Sequence, residues 1–552
     1  MASKNRIDGR RMTCQVKRNR GRGEEPMKDK LGKGMSRREL LKFAGALAAY
    51  TAVPGIPGCV SLPAKPLPRI DYTRGLVIKN CSVIDTVSGA LMENATLRIR
   101  GEKILALSQR DDIDAPGAAV IDAGGRFVTP GFVDAHCHTT ASPVFTMSPL
   151  DMFKHATMQK RHFVASIESG VTTVRDMGAF PPLLHGFMKD IDEGGLIGPR
   201  VVHCNSILNI AGSHPDIPVS EVSVFAKPAS LFIGMMMTNF EDTAELRRVM
   251  DENARGASFI KLTVDNKSIF PRTGDIPCYS DEQLALIFDY AAKQGLPVAC
   301  HHHRKWGFDR MMKYPIHSLE HTVCDALLSD AELDTLVKKG VSVVPTLTVA
   351  QSYLFDEAYG KIPDGFDDDL MREELAARRA YLRSDALRHC DPDLHAANMD
   401  VLRYYRHPGL EKLWENHIYL VDPAVYFGIM KYGMRNVKRM RDAGVPMGVG
   451  IDAGMPFCYF GGYYRELECM ARAGLTNAEI LRCATVNGAR IVRMEDRIGT
   501  VAEGKLADLA LFDRNPLEDI TACRTPAAVM KAGKILHCEK SFPVCRLPES
   551  RN

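Results

Sequence analysis

The sequence carries no internal repeat, no CxxC pair and no strong excess of charge of either sign. Without a repeat, a solenoid is excluded. Without paired cysteines, the fifteen thiols offer no framework, and their spacing assigns no disulfide even in a compartment that permits one. The formal charge is only +4, and its distribution says more than its sum. Residues 1–42 hold 14 Lys and Arg against 5 Asp and Glu, a local +9, and residues 43–58 carry no charge, which leaves the chain from Cys59 onward at −5. A mildly acidic body offers no nucleic-acid surface. The uncharged apolar stretch from Phe43 to Val53 is too short for a spanning helix, which needs about 20 such residues.

What is present begins with that basic, then apolar, front end. "SRRELLKFAGALAAYTAVPGIPGC" pairs Arg37 and Arg38 ahead of the apolar stretch. The Ser-Arg-Arg-x-Leu-Leu-Lys pattern resembles a twin-arginine export signal, and "IPGC", Ile56 to Cys59, resembles a lipobox with Cys59 as the lipidated residue. The alternative is a chance Arg pair before an apolar run. Residues 1–58 are therefore set apart as an export signal with an upstream basic segment, and Met35 is an alternative start. The expected location is the bacterial cell envelope or periplasm. The partners expected there are the export machinery and, through lipid on Cys59, the membrane.

Residues 59–72 are Pro-rich and read as a linker. From 73 to 130 the text is short alternating strands with Gly and Asp at the turns, and the same rhythm returns from 496 to 545. Between them, residues 131–495 alternate strand and helix. The strand candidates are "FVDAHCH", "VTTVRD", "RVVHCN", "FIKLTV", "PVACHH", "HSLEH", "VSVVPTL" and "PMGVGID". Helices such as "SDEQLALIFDYAAKQG" open on Ser-Asp and close on Gly. The predicted fold class is α/β: a (β/α)8 TIM barrel with a small β-sandwich built from both chain ends. Residues 352–434 form an insertion expected to be helical and able to cover the barrel mouth. A homo-oligomer is compatible with this organisation.

In "VTPGFVDAHCHTT", His136 and His138 are two apart at a strand end, so both imidazoles point the same way, as a divalent metal requires. A turn with two surface histidines is the alternative, and the rest of the chain has to decide. Lys261 lies in strand four, His301 ends strand five, His321 ends strand six and Asp452 ends strand eight. In such a barrel these positions share one mouth, and imidazole and carboxylate suit zinc and its neighbours. Alternation puts His301 and His303 on one face and His302 on the other. Cys137, between two candidate ligands, is expected to point away and pack.

The texts "VTPGFVDAHCH", "GVTTVRDMG", "GPRV", "FIKL", "YSDEQL", "GLPVACH", "SLEH", "GIDAGMP", "ATVNGAR" and "IGTVAEGKLADLALFD" carry a resemblance over residues 75–540. The chain resembles the amidohydrolase superfamily, in the branch near imidazolonepropionase and the metal-dependent prolidase-like dipeptidases. The resemblance implies two divalent metal ions per subunit, zinc being the expected metal. His136, His138 and Asp452 would hold one ion and His301 and His321 the other. Lys261, carboxylated by carbon dioxide, would bridge them. Burial between dications disfavours an ammonium, which suits that role. A Lys folded into the barrel interior or a salt bridge is the alternative.

The activity implied is hydrolysis of an amide C–N bond in a small-molecule substrate, a dipeptide or N-acyl amino acid. The nucleophile would be a metal-bridging hydroxide, with Asp452 as the catalytic proton carrier. His303, His214 and Tyr279 are the candidate substrate contacts, Tyr279 as a reader of the substrate carboxylate, with a packing residue ahead of a helix cap as its equal alternative. A cyclic amidase or deaminase of the same superfamily is the second reading, and a non-catalytic solute-binding lipoprotein the third.

Overall fold

The computed structural model describes residues 70–110, 113, 115–141, 149–216, 233–268, 275–353, 368–383, 390, 392–404 and 423–543. Arg37, Arg38 and Cys59, with the export and lipidation roles expected of them, lie outside the described residues.

The β-rich ends meet in one sheet. Strands β1 (Leu76–Ile84), β2 (Leu91–Arg100), β3 (Lys103–Ser108), β4 (Ala119–Asp122) and β5 (Phe127–Pro130) come from the front. Strands β15 (Leu509–Phe512), β16 (Ala528–Lys531) and β17 (Lys534–Cys538) come from the back. The order is β17-β16-β15-β5-β1-β2-β3, with β4 paired to β1. The seam between the ends is antiparallel, Val128 facing Leu511 and Thr129 facing Ala510. One apolar cluster gathers residues of both ends, among them Ile78, Leu97, Val128, Leu509 and Met530. Cys538 is disulfide-bonded, and eleven other described cysteines are free thiols. No helix among the described residues is long and apolar enough to cross a membrane.

The central region runs β6 (Phe132–Cys137), β7 (Val171–Asp176), β8 (Arg200–His203), β9 (Ile207–Ile210), β10 (Met237–Phe240), β11 (Ile260–Thr263), β12 (Val298–His301), β13 (Ser318–Glu320) and β14 (Ser342–Val344). Strands β6-β7-β8 form one parallel sheet and β11-β12-β13-β14 another. All residues of β6, β7, β11 and β12 are buried, as parallel strands covered on both faces require. The eighth expected strand is an extended segment, residues 446–453. Its backbone bonds β14 on one side (Gly448 N to Val343 O, 2.9 Å) and β6 on the other (Asp452 N to His136 O, 2.9 Å). Ser258 N donates to His203 O at 2.8 Å, linking β8 to the chain entering β11. The parallel pair β9 and β10 was not among the expected strands. Each is only four residues long, which leaves too little periodicity to read.

The helix signals are realised as local chemistry. Ser280 caps the helix Asp281–Gln294 in a reciprocal capping box with Gln283, and Gly295 closes it in left-handed backbone. At Asp330–Lys339, Ser329 N donates to Glu332 Oε2 at 2.7 Å and Gly340 closes the helix in left-handed backbone. Inside the insertion, the helix Asp369–Arg383 is anchored by one buried carboxylate. Glu374 accepts from Arg378 Nε at 2.6 Å and from Arg472 Nε, with Arg465 3.5 Å away. Burial opposes its ionisation, but the Arg378, Arg472 and Arg465 guanidinium groups outweigh it and hold the Glu374 carboxyl down at about 2. At the seam between the terminal sheet and the central strands, Phe132 stacks on Tyr463 (5.6 Å) and on Phe512 (5.8 Å). Each such pair adds about 0.5–1.5 kcal/mol beyond its burial.

Candidate metal centre

The ends of β6, β12, β13 and the 446–453 segment bring five of the six expected ligands together in two groups; Lys261 is in neither, and His303, expected as a substrate contact, joins the second. His136, His138 and Asp452 form one, and His301, His303 and His321 the other; within each, the ligand atoms lie within 4.8 Å of one another. In the first group, Asp452 Oδ1 is 3.4 Å from His136 Nε2 and 3.3 Å from His138 Nε2. In the second, the His321 ring centre is 4.4 Å from those of His301 and His303. The groups adjoin: the His136 and His321 rings are 4.8 Å apart. All six side chains are buried.

Hydrogen bonds fix which nitrogen each ring turns inward. His136 Nδ1 lies 2.9 Å from Glu320 Oε2, and His138 Nδ1 lies 2.9 Å from the Gly178 carbonyl. Both partners are acceptors, so Nδ1 carries the proton and the Nε2 lone pair faces Asp452. His321 Nδ1 lies 2.5 Å from Thr346 Oγ1, whose own proton goes to the Pro345 carbonyl at 2.8 Å. The same tautomer follows. Outer partners of this kind orient metal ligands and raise their basicity.

Electrostatics favours neutral imidazoles in the second group, whereas burial at His138 is outweighed by Asp452, which raises its pKa. Burial first, then the neighbouring cationic and imidazole groups, pushes His301, His303 and His321 well below the usual histidine range. The Lys261 amine is buried in β11 with no hydrogen-bond partner, and burial lowers its pKa. His301 Nε2 is likewise buried without a hydrogen-bond partner. Buried polar atoms left open beside converging imidazoles fit a cation, and neutral imidazole with carboxylate is the donor set of zinc.

The backbone around the ligands is strained or close-packed. His321 (φ 70°), Thr346 (φ 48°) and Asp452 (φ 53°) all stand in left-handed backbone. Such conformations cost of order 1–3 kcal/mol each and cluster at functional sites. Gly450 lets the 446–453 segment run against β6, since a Cβ there would stand 2.7 Å from His136 Cβ.

Of the other expected residues, His214 stands beside the second group, its ring centre 4.6 Å from that of His301. His302 is directed elsewhere, its ring 6.0 Å from Phe308. The Cys137 thiol points to the Arg175 carbonyl at 3.7 Å. Tyr279 is not brought to the ligands: it is buried in the apolar core, its hydroxyl donating to the Leu208 carbonyl.

Sequence reasoning passed over Glu320, Arg175 and Asp265. Arg175 Nη1 bonds Glu320 Oε1 at 2.9 Å and both residues are fully buried. Burial works against an ionised Glu320, but Arg175 outweighs it and holds the carboxyl far below the usual range. Asp265 accepts from His303 N at 2.8 Å and Arg304 N at 3.2 Å, pinning the turn that carries His303. Burial raises its carboxyl to about 7. The signal for Glu320 was its place in "SLEH", one residue before a ligand.

Comparison with known proteins gives the family and the fold. The model of the amidohydrolase family matches residues 127–536. An ochratoxinase of Aspergillus niger is 25% identical over 395 residues, covering 67% of this chain and 66% of that protein, just under two thirds of its length. An imidazolonepropionase of Shouchella clausii is 28% identical over 221 residues, covering 37% of this chain and 43% of that protein. Among solved structures, a Xaa-Pro dipeptidase superposes with a TM-score of 0.60 at 21% identity, covering 84% of this chain and 99% of its own. The A. niger ochratoxinase structure gives 0.60 at 20% identity, over 86% and 98%.

Proposed function

This chain belongs to the amidohydrolase family, and from that premise we propose that it is a binuclear metal-dependent hydrolase cleaving an amide C–N bond in dipeptides or N-acyl amino acids. The observation that carries the reading is the pair of adjoining ligand groups, with His136 and His321 4.8 Å apart between them. The likeness to a protein named as a dipeptidase supports the substrate class. His136, His138 and Asp452 would hold one cation and His301 and His321 the other, with a carboxylated Lys261 completing the set. When bound, divalent cations lower the pKa of water toward neutrality and polarise a carbonyl.

The chain's own groups do the rest. Asp452, set beside the His136 and His138 rings, accepts the proton of the attacking water and returns it to the leaving amine. His303 and His214 flank His301, where a bound substrate would touch them.

We read the eight strand-like segments as one closed (β/α)8 barrel. The backbone bonds from 446–453 to both β14 and β6 support this, as does the Ser258–His203 link. The terminal sheet is read as a sandwich folded over its shared apolar cluster. Export through Arg37 and Arg38 and lipidation of Cys59 complete the proposal, and the disulfide at Cys538 suits an oxidising compartment. Lys-Lys at 37 and 38 should trap the protein inside, and Cys59→Ser should release it from membranes. Unaltered location of both variants would remove the export reading.

The experiment for the activity is metal analysis of the purified chain loaded with zinc and bicarbonate, followed by a panel of dipeptides and N-acyl amino acids. Two metals per chain and release of free amino acid are expected. One metal or none after loading, or no amine released from either class, would overturn the reading.

A further inference from the structure

Glu466 is a fully buried carboxylate in the helix Tyr464–Arg472, outside both ligand groups. It holds one turn of backbone. Its Oε1 accepts from Leu347 N and its Oε2 from Thr348 N, both at 2.7 Å. Arg378, from the insertion helix Asp369–Arg383, grips the same turn and donates from Nη2 to the Leu347 carbonyl at 2.8 Å. Leu347 is thus held at its N–H by one element and at its carbonyl by another.

That turn reaches both ligand groups. On one side Thr346, directly before Leu347, accepts from His321 Nδ1 at 2.5 Å. On the other, Thr348 Oγ1 donates to the Ile451 carbonyl at 3.1 Å. This carbonyl belongs to the peptide that leads into Asp452, whose own N–H donates to His136 O at 2.9 Å. The 451–452 peptide is therefore fixed at its oxygen by the turn and at its nitrogen by β6. The helix that carries Glu466 is tied to the same strand, since the Tyr463 hydroxyl at its start donates to the Val133 carbonyl at 2.9 Å.

We propose that Glu466 is a positioning residue for both cation sites: by fixing the Leu347 and Thr348 amides, it sets Thr346 against His321 and Thr348 against the peptide that carries Asp452. This role rests on the two-cation reading of the site. Two acceptor oxygens on two successive N–H groups fix the peptide between them, where a single bond would let the turn rock. Thr346 (φ 48°) and Asp452 (φ 53°) stand in left-handed backbone, which their surroundings have to enforce. A Gln at 466 offers one oxygen and one NH2 group, so one of the two buried amides would lose its acceptor.

The test is zinc binding by the full chain in competition with a chelator. The visible spectrum of the cobalt-loaded form is a second readout, and thermal unfolding is measured alongside. The unmutated chain should take up two ions. Glu466→Gln should weaken both binding steps by about 10–100-fold, the scale on which outer partners act on metal sites, and shift the cobalt bands. Thr346→Val should weaken mainly one step and Thr348→Val mainly the other. Because these residues act through one turn, Glu466→Gln combined with Thr346→Val should weaken that step by less than the product of the separate factors. Ile104→Ala, in the core of the terminal sheet, controls for lost stability and should leave both steps and the bands unchanged. If Glu466→Gln does not fold, Glu466→Asp, with both acceptors on a shorter arm, replaces it and should weaken both steps by a smaller factor. Unchanged affinity at either step, a double variant that multiplies the two factors, or an equal loss in Ile104→Ala would overturn the proposal. Fewer than two ions in the unmutated chain would instead overturn the two-cation reading, and this inference with it.

Discussion

His321 and Thr346 meet through a 2.5 Å hydrogen bond between Nδ1 and Oγ1, and both residues stand in left-handed backbone. A β-branched residue in that region is strained, so the contact that holds it there matters. The Thr346 hydroxyl spends its proton on the Pro345 carbonyl and can only accept from His321. Thr346→Val keeps the shape and loses the acceptor. Its zinc affinity, measured by chelator competition, should fall about 10–100-fold, and Thr346→Ser should restore most of it. Equal affinity in the Val variant would show that the hydroxyl does not orient the ligand.

Gly450→Ala should be disruptive without touching any ligand atom. Its Cβ would meet Val344 Cγ1 at 2.6 Å, His136 Cβ at 2.7 Å and His136 N at 2.9 Å. The last is backbone and cannot swing aside. Overpacking of this kind costs about 1–3 kcal/mol. Denaturant unfolding should show that loss together with reduced metal content, since the strain falls on His136. A variant as stable and as metal-rich as the unmutated chain would mean that the 446–453 segment can move away from β6.

The two histidine pairs could be read from the sequence because regular strands obey a two-residue alternation, while the ligand roles came from the family resemblance. His136 with His138 and His301 with His303 follow it, and the structure puts each pair in one group. The same rule hid Glu320. In a regular strand, Glu320 and His321 face opposite ways, so a ligand at 321 argues for an outward 320. The positive φ at His321 breaks the alternation, and both side chains reach His136. No glycine or asparagine marks that turn. Tyr279 does not join the ligands. Its alternative reading, a packing residue ahead of a helix cap, is the one the structure favours, with the ring in the core beside Phe240.

Glu374 gives a pH dependence of known sign. Its folded-state pKa of about 2 lies below the ordinary 4.5, so its ionised form is bound more tightly in the folded chain. The resulting stability is fully present above pH 4.5 and is lost as pH falls toward 2. By linkage it amounts to about 3 kcal/mol. Glu374→Gln should therefore be less stable at pH 7, by about 3–5 kcal/mol with three arginines left around it. The difference from the unmutated chain should shrink between pH 4.5 and pH 3 in urea titrations. A gap independent of pH would mean that the carboxylate charge is not what anchors the insertion helix.

Tyr279→Phe separates a packing role from a substrate role. A hydroxyl that recognised a substrate carboxylate would, on removal, raise KM for dipeptides more than for their C-terminal amides. The structure instead gives that hydroxyl to the Leu208 carbonyl inside the core, with the ring fully buried. Losing it removes one buried hydrogen bond, worth about 1 kcal/mol of stability. The ratio of kcat/KM for a dipeptide to that for its amide should stay the same, while the unfolding midpoint drops modestly. A rise in KM confined to the free acids would return Tyr279 to the substrate pocket and require the segment ahead of the helix Asp281–Gln294 to rearrange when substrate binds.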